Sequence, residues 1–174
     1  MEPGKIIEKA LLILQLKEEA IKETSEKPEY FGWGVLIVAV AGLAGPIGSL
    51  KFFPGIIVGP ITAVIGAFIA VGILWIIAKI FGGKGEYMAY FRPLAMADII
   101  QWVTVIPFIG VFLGSLAGIW QIVVAIKTTQ VVHEMDMPKA IVVVLIPIVI
   151  VFFLLLIFGT AALTIMGLKL QGIK

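Results

Sequence analysis

Residue types alone place this chain in the all-α class, as a polytopic helix bundle built for a lipid bilayer. Three observations carry that expectation. Of the 174 residues, 61% are hydrophobic and only 14% are charged, and the mean hydropathy is +1.15. A soluble domain of this length carries about a quarter charged residues and interrupts its apolar runs every few positions. Here half of the 24 charged residues fall within the first 30, so the remainder is almost uncharged, as hydrocarbon requires. Cysteine is absent, which removes disulfides, thiol catalysis and cysteine-ligated metals. A net charge of +2 is too small to argue for nucleic acid. The charged first 30 residues, ending in SEKPEY, do not have the pattern of a cleavable signal peptide.

The first element is a helix over "PGKIIEKALLILQLKEEAIKET". Pro3 suits a first helical turn, and Ile7, Ala10, Leu11, Leu14 and Ile21 recur at helical spacing. Lys5, Glu8, Lys9 and Glu18 take much of the other side. Its apolar run is too short to span. Residues 1–29 are therefore expected to be a cytoplasmic amphipathic helix, either at the interface or docking a partner, or simply packed under the bundle. Residues 30–174 are expected to form the transmembrane domain.

A crossing helix needs about 20 apolar residues. Residues 31–50 and 56–80 each qualify, joined by "GPIGSLKFFPG" with Lys51 as its only charge, and 141–168 qualifies again. Residues 94–126 are harder to place. One helix of that length would run about 50 Å, far beyond the hydrocarbon thickness. Pro107 and Gly110 in "VIPFIGVFLG" favour a break. The expectation is two short helices, about 94–106 and 110–128, that form a bent hairpin. This makes five spans.

Lysine and arginine set the orientation. Lys5, Lys9, Lys17, Lys22, Lys27, Lys79, Lys84, Arg92, Lys127 and Lys139 fall on one side and Lys51, Lys169 and Lys174 on the other. The N-terminus is thus expected in the cytoplasm. The same imbalance arises with four spans, so length alone favours five.

Few residues offer chemistry. "GGKG" at 82–85 resembles a phosphate loop, but Lys84 is followed by Gly85 instead of serine or threonine and no strand precedes it. A turn that ends the second span, with Lys84 as an anchor, suits it better. "HEMDM" at 133–137 lacks the second histidine of a zincin helix. His133, Glu134 and Asp136 are therefore expected as a solvated loop cluster, with no metal and no cofactor. Asp98 is the one acid inside an apolar span, and such carboxylates are functional candidates by default. Gln101 follows on the same face, and Gln121 on the partner helix is placed to meet Arg92 or Asp98. Asp98 is expected either to pair structurally with Arg92 or Lys84 or to handle a proton or substrate. Gly110, Gly114 and Gly118 form a small-residue face suited to close packing within the bundle or to homo-oligomerisation; Gly55 and Gly59 form a shorter one.

"GGKGEYMAYFRPLAMAD" resembles the segment after the second span of the Yip/Yif domain family, the Ypt/Rab-interacting membrane proteins. The matching positions are Gly82, Gly83, Lys84, Gly85, Tyr87, Phe91, Arg92 and Ala97. "IPFIG" at 106–110, Trp120 and "VVHEMDMPKAIVVVLIP" at 131–147 extend the likeness. The resemblance implies a five-span protein with a cytoplasmic N-terminus. It also implies a part in vesicle trafficking and binding of prenylated Rab-type GTPases, as in eukaryotic members. The short N-terminal region and the lack of cysteine resemble a bacterial or archaeal member, which would lie in the plasma membrane. The expected function is a non-enzymatic adaptor or membrane-organising protein, in contact with lipid and with a cytoplasmic protein partner. The alternative is a small transporter, channel or lipid-handling protein that uses Asp98 and the hairpin.

Overall fold

A computed structural model describes the backbone of residues 2–49 and 55–171 and the side chains of residues 2–49 and 55–160. Lys51, Lys174 and the side chain of Lys169, the expected charges of the far side, lie outside the described residues. Every described regular element is helical: α1 (Pro3–Leu14), α2 (Glu18–Glu26), α3 (Tyr30–Gly48), α4 (Gly55–Ile80), α5 (Tyr87–Ala97), a 3-10 segment (Asp98–Val105), α6 (Gly110–His133) and α7 (Met137–Gln171).

Four helices are long and apolar enough to cross a membrane: α3, α4, α6 and residues 137–160 of α7. The stretch between α4 and α6 departs from the sequence expectation at both ends. Its helix begins at Tyr87, seven residues earlier than expected, and gives way to a 3-10 segment of 8 residues at Asp98. The return helix α6 runs on to His133 and is 24 residues long. The chain reverses between them at Ile106–Ile109, where Phe108 takes φ 67° and stands 94% exposed.

The single N-terminal helix expected from the sequence is two helices. Leu16 takes φ 62°, and the amide of Lys17 reaches back to the Leu12 carbonyl at 3.1 Å, the closing bond of a Schellman-type helix end. Glycine is the usual residue there. Leucine is held instead because its side chain packs against the core, offsetting a left-handed cost of about 1–2 kcal/mol.

Once folded back, α1 and α2 bury part of their apolar surface inside the molecule, while Ile7 and Leu11 of the expected apolar face stay exposed. Ile6, Ala10, Ile13, Ala20 and Ile21 share a cluster with Tyr30, Ile37, Met96, Ala97 and Val124. The N-terminal pair therefore packs on the bundle. Elsewhere backbones touch. A Cβ on Gly42 of α3 would lie 2.5 Å from the Gly59 carbonyl oxygen and 2.7 Å from Ala63 Cβ on α4. Helix α7 leaves the bundle as it runs away from the 134–136 turn. It packs through Val143 on Ala78 and Met135, while Ile148 to Phe158 are all exposed apolar surface, the state expected of lipid-facing residues.

Candidate functional site

The elbow after α4 is shaped by its glycines. Gly82 takes φ 87°, and the Gly83 amide returns to the Ala78 carbonyl at 2.8 Å, so the helix stops there. A Cβ on Gly83 would fall 2.6 Å from His133 Nδ1, and one on Gly85 2.7 Å from the Val132 carbonyl. The loop thus lies flat on the end of α6. The Lys84 amide donates to the His133 carbonyl at 3.2 Å, and Trp75 Nε1 donates to the Gly85 carbonyl at 3.1 Å. Lys84 Nζ reaches Glu134 at 2.8 Å. That ion pair holds the Glu134 carboxyl below its usual range and the Lys84 ammonium above it.

His133 belongs less to an exposed loop than the sequence suggests. It is fully buried, with its ring edge-on to Tyr90 at 4.7 Å, while Glu134 and Asp136 are exposed. Among the described residues no three histidine, cysteine or acidic side chains are grouped so as to hold a metal ion. Tyr90 is itself anchored, its hydroxyl 2.6 Å from that of Thr129. Beside it Phe91 stacks on Phe68 at 4.3 Å, and the Tyr87 hydroxyl donates to the Phe68 carbonyl at 2.9 Å. Tyr87 and Phe91 carry the family resemblance in the sequence, but their packing with Tyr90 and Phe68 is a feature of the fold. The signal was present, since Tyr87, Tyr90 and Phe91 stand at i, i+3 and i+4, positions that share a helix face.

Neither structural pairing considered for Asp98 forms. Arg92 is buried and donates through Nη1 to the Ser25 carbonyl at 2.6 Å, and Lys84 is taken by Glu134. Six residues correspond to about 600° of helical rotation, so Arg92 and Asp98 point to different sides of their helix. Arg92 faces α2 and Asp98 faces α6.

Asp98 instead ends a polar ladder that joins the two arms of the hairpin. Gln121 Nε2 on α6 donates to Asp98 Oδ1, and Gln101 Nε2 donates to Gln121 Oε1 at 2.8 Å. Thr104 donates to the Gln101 carbonyl at 2.7 Å. The glycine face of α6 lies against this same segment. A Cβ on Gly110 would sit 2.5 Å from the Thr104 carbonyl oxygen, one on Gly114 2.5 Å from Thr104 Cγ2, and one on Gly118 3.9 Å from Gln101 Nε2. All four ladder residues line a cavity of about 580 Å³, whose other walls come from α3, α4, α5 and α6.

A family model of the Yip1 domain matches residues 18–159. The chain belongs to the Yip1 domain family. No curated protein and no solved structure matches it. The resemblance carried by residues 82–97 and 106–147 is thereby established. The Yip1 match begins at the first residue of α2 and leaves α1 outside. It takes in the glycine elbow, the Arg92 contact, the polar ladder and the cavity. This Yip1 domain is an integral membrane protein, with four apolar helices of spanning length.

Proposed function

We propose that this Yip1-domain protein is a non-enzymatic adaptor or membrane-organising protein that presents a fixed helical platform to a cytoplasmic partner. The observation that carries the reading is how α1 and α2 are held. Arg92 bonds the Ser25 carbonyl at 2.6 Å, Trp120 Nε1 bonds the Leu14 carbonyl at 3.0 Å, and Lys127 pairs with Glu18. With Ile6, Ala10, Ile13, Ala20 and Ile21 buried, the pair turns Lys5, Glu8, Glu19, Lys22 and Glu26 outward, together with Ile7 and Leu11. A surface ordered in advance loses less entropy when it binds.

The orientation follows the charge excess. Among residues with described side chains, every charge except Asp98 belongs to segments 2–29, 79–92, 127 and 134–139, and contacts tie these segments together. That end is assigned to the cytoplasm. A fifth crossing is supported by length. Beyond Arg92, at 1.5 Å and 2.0 Å per residue, the rest of α5 and the 3-10 segment reach about 24 Å, most of the roughly 30 Å of hydrocarbon. Cysteine accessibility at Ile109 tests it, because labelling from the outer face requires that turn to emerge there.

Photo-cross-linking residues placed at Glu8, Glu19 and Ile69 test the platform. We expect one discrete protein adduct from Glu8 and Glu19 in native membranes, lost in Arg92→Met, and lipid adducts alone from Ile69. Lipid adducts alone from all three positions would overturn the adaptor reading.

A further inference from the structure

We infer that the cavity between α3, α4 and the hairpin is a binding site for a single-chain amphiphile whose head is a hydrogen-bond donor, a hydroxyl or an amine, entering sideways from the bilayer. Four features lead there.

The first is depth. The α4 residues that line the cavity run from Ala63 to Leu74, 6 to 17 residues before the end of α4 at Ile80, or roughly 10–25 Å along its axis. The cavity therefore lies at the level of hydrocarbon. The second is its opening. Gly66 and Ala70 line it and are exposed, and no described side chain of α7 lines it, so an apolar chain can enter laterally. The third is size. About 580 Å³ falls within the range of small-molecule sites. It has room for roughly 20 groups of about 30 Å³ each, suited to one chain with a small head.

The fourth feature is the polar edge, which chooses the head. Gln121 occupies Asp98 Oδ1, and the second carboxyl oxygen has no donor among the described residues. Gln101 uses its amide nitrogen on Gln121, and its own Oε1 accepts from no described residue. Two acceptors are thus unfilled, one of them on the only acid of the span. An unpaired acceptor costs free energy in an apolar setting. A hydroxyl or amine relieves that cost, whereas a carboxylate or phosphate brings like charge against Asp98. The walls, formed by residues such as Ala41, Ala63 and Ala67, offer an acyl chain a smooth apolar surface.

The test uses the full-length protein in phosphatidylcholine nanodiscs, with diazirine-bearing hexadecanol, hexadecylamine and hexadecanoic acid as probes. We expect the alcohol and the amine to label residues 38–45 and 63–74 saturably and the acid about tenfold less, equivalent to about 1.4 kcal/mol. Asp98→Asn keeps an oxygen for Gln121 and removes the charge, so amine labelling falls strongly. Gly66→Leu adds bulk at the wall from a point with open space, since no atom lies within 4 Å of a Cβ there, and it lowers labelling by the alcohol and the amine. If Asp98→Asn does not fold, Gly66→Leu and the three-probe comparison still decide. Competition by added sphingosine, a single chain with hydroxyl and amine donors, is expected; competition by phosphatidylethanolamine, which has two chains and a phosphate, would count against the proposal. Equal labelling by the acid, or labelling of the cavity walls unchanged by Gly66→Leu, would overturn the proposal.

Discussion

The two ends of this molecule are held together by different means. At the charged end, side chains do the work. Tyr90 meets Thr129, Arg92 meets the Ser25 carbonyl, and Lys9 and Lys27 both reach Glu23, at 2.6 and 2.8 Å. Toward the apolar end the contacts are backbone against backbone, with Gly42 on Gly59 and Gly110 on the Thr104 carbonyl. The contrast follows from the solvent. Lipid gives helices no hydrophobic reason to associate, so small residues must bring backbones close enough for dispersion to act. Near water, burial and hydrogen bonds choose partners. The cavity lies between the two regimes, where small residues leave space and the Asp98–Gln121–Gln101 ladder supplies polarity.

The contrast can be broken most forcefully at the α3–α4 crossing. Gly42→Leu puts a side chain where a single Cβ already meets backbone at 2.5 Å. It should cost about 3 kcal/mol or more, the upper end for overpacking, read as a large fall in the midpoint of unfolding in mixed micelles. A near-normal midpoint would show that the crossing is not set by glycine contact. Next in size is Arg92→Met, which keeps most of the volume and removes the donor to Ser25. A loss of about 2 kcal/mol is expected, as for a hydrogen bond from a charged group, with faster hydrogen exchange confined to α1 and α2.

A smaller effect concerns acid. Hydrogen bonds from Lys27 and Lys9 hold the Glu23 carboxyl at about 2 instead of its usual 4.5. A depressed carboxyl stabilises the fold above its unfolded value and loses that contribution as pH falls. The hold on α1 and α2 should therefore weaken between pH 4.5 and about 2, seen as faster proteolysis within residues 2–29. Glu23→Gln should remove that dependence. The smallest effect is at Lys84. Its pair with Glu134 is 74% and 66% exposed, and such pairs add little. Lys84→Ala should melt like the wild type, whereas Gly85→Val, at a point where a Cβ would already fall 2.7 Å from backbone, should not.

The elbow shows how much of the site could be read from residues alone. Gly82 as a helix stop follows from local conformation, and the unsuitability of Lys84 for a phosphate follows from its neighbour Gly85. The fate of Lys84 does not, because Glu134 is 50 residues away. Asp98 stood out as the one acid in an apolar run, and Gln121 was placed within its reach, but Arg92 seemed closer by sequence than it is in space. The break at Leu16 was hidden because the residue there is leucine, which takes the left-handed turn only when long-range packing compensates.

Composition by itself determined that this chain is helical and belongs in a membrane, since nearly charge-free stretches of 20 residues have no other stable setting. Apolar length and residue spacing also determined the broad order of helices and the family resemblance, because both are properties of contiguous segments. Only the tertiary structure decided which polar groups meet, that α1 and α2 fold back onto α5 and α6, and that the glycine face of α6 lies on its own hairpin. Those outcomes depend on helix rotation and on close approach between distant segments. A chain of 3.6 residues per turn turns a shift of one residue into a change of partner.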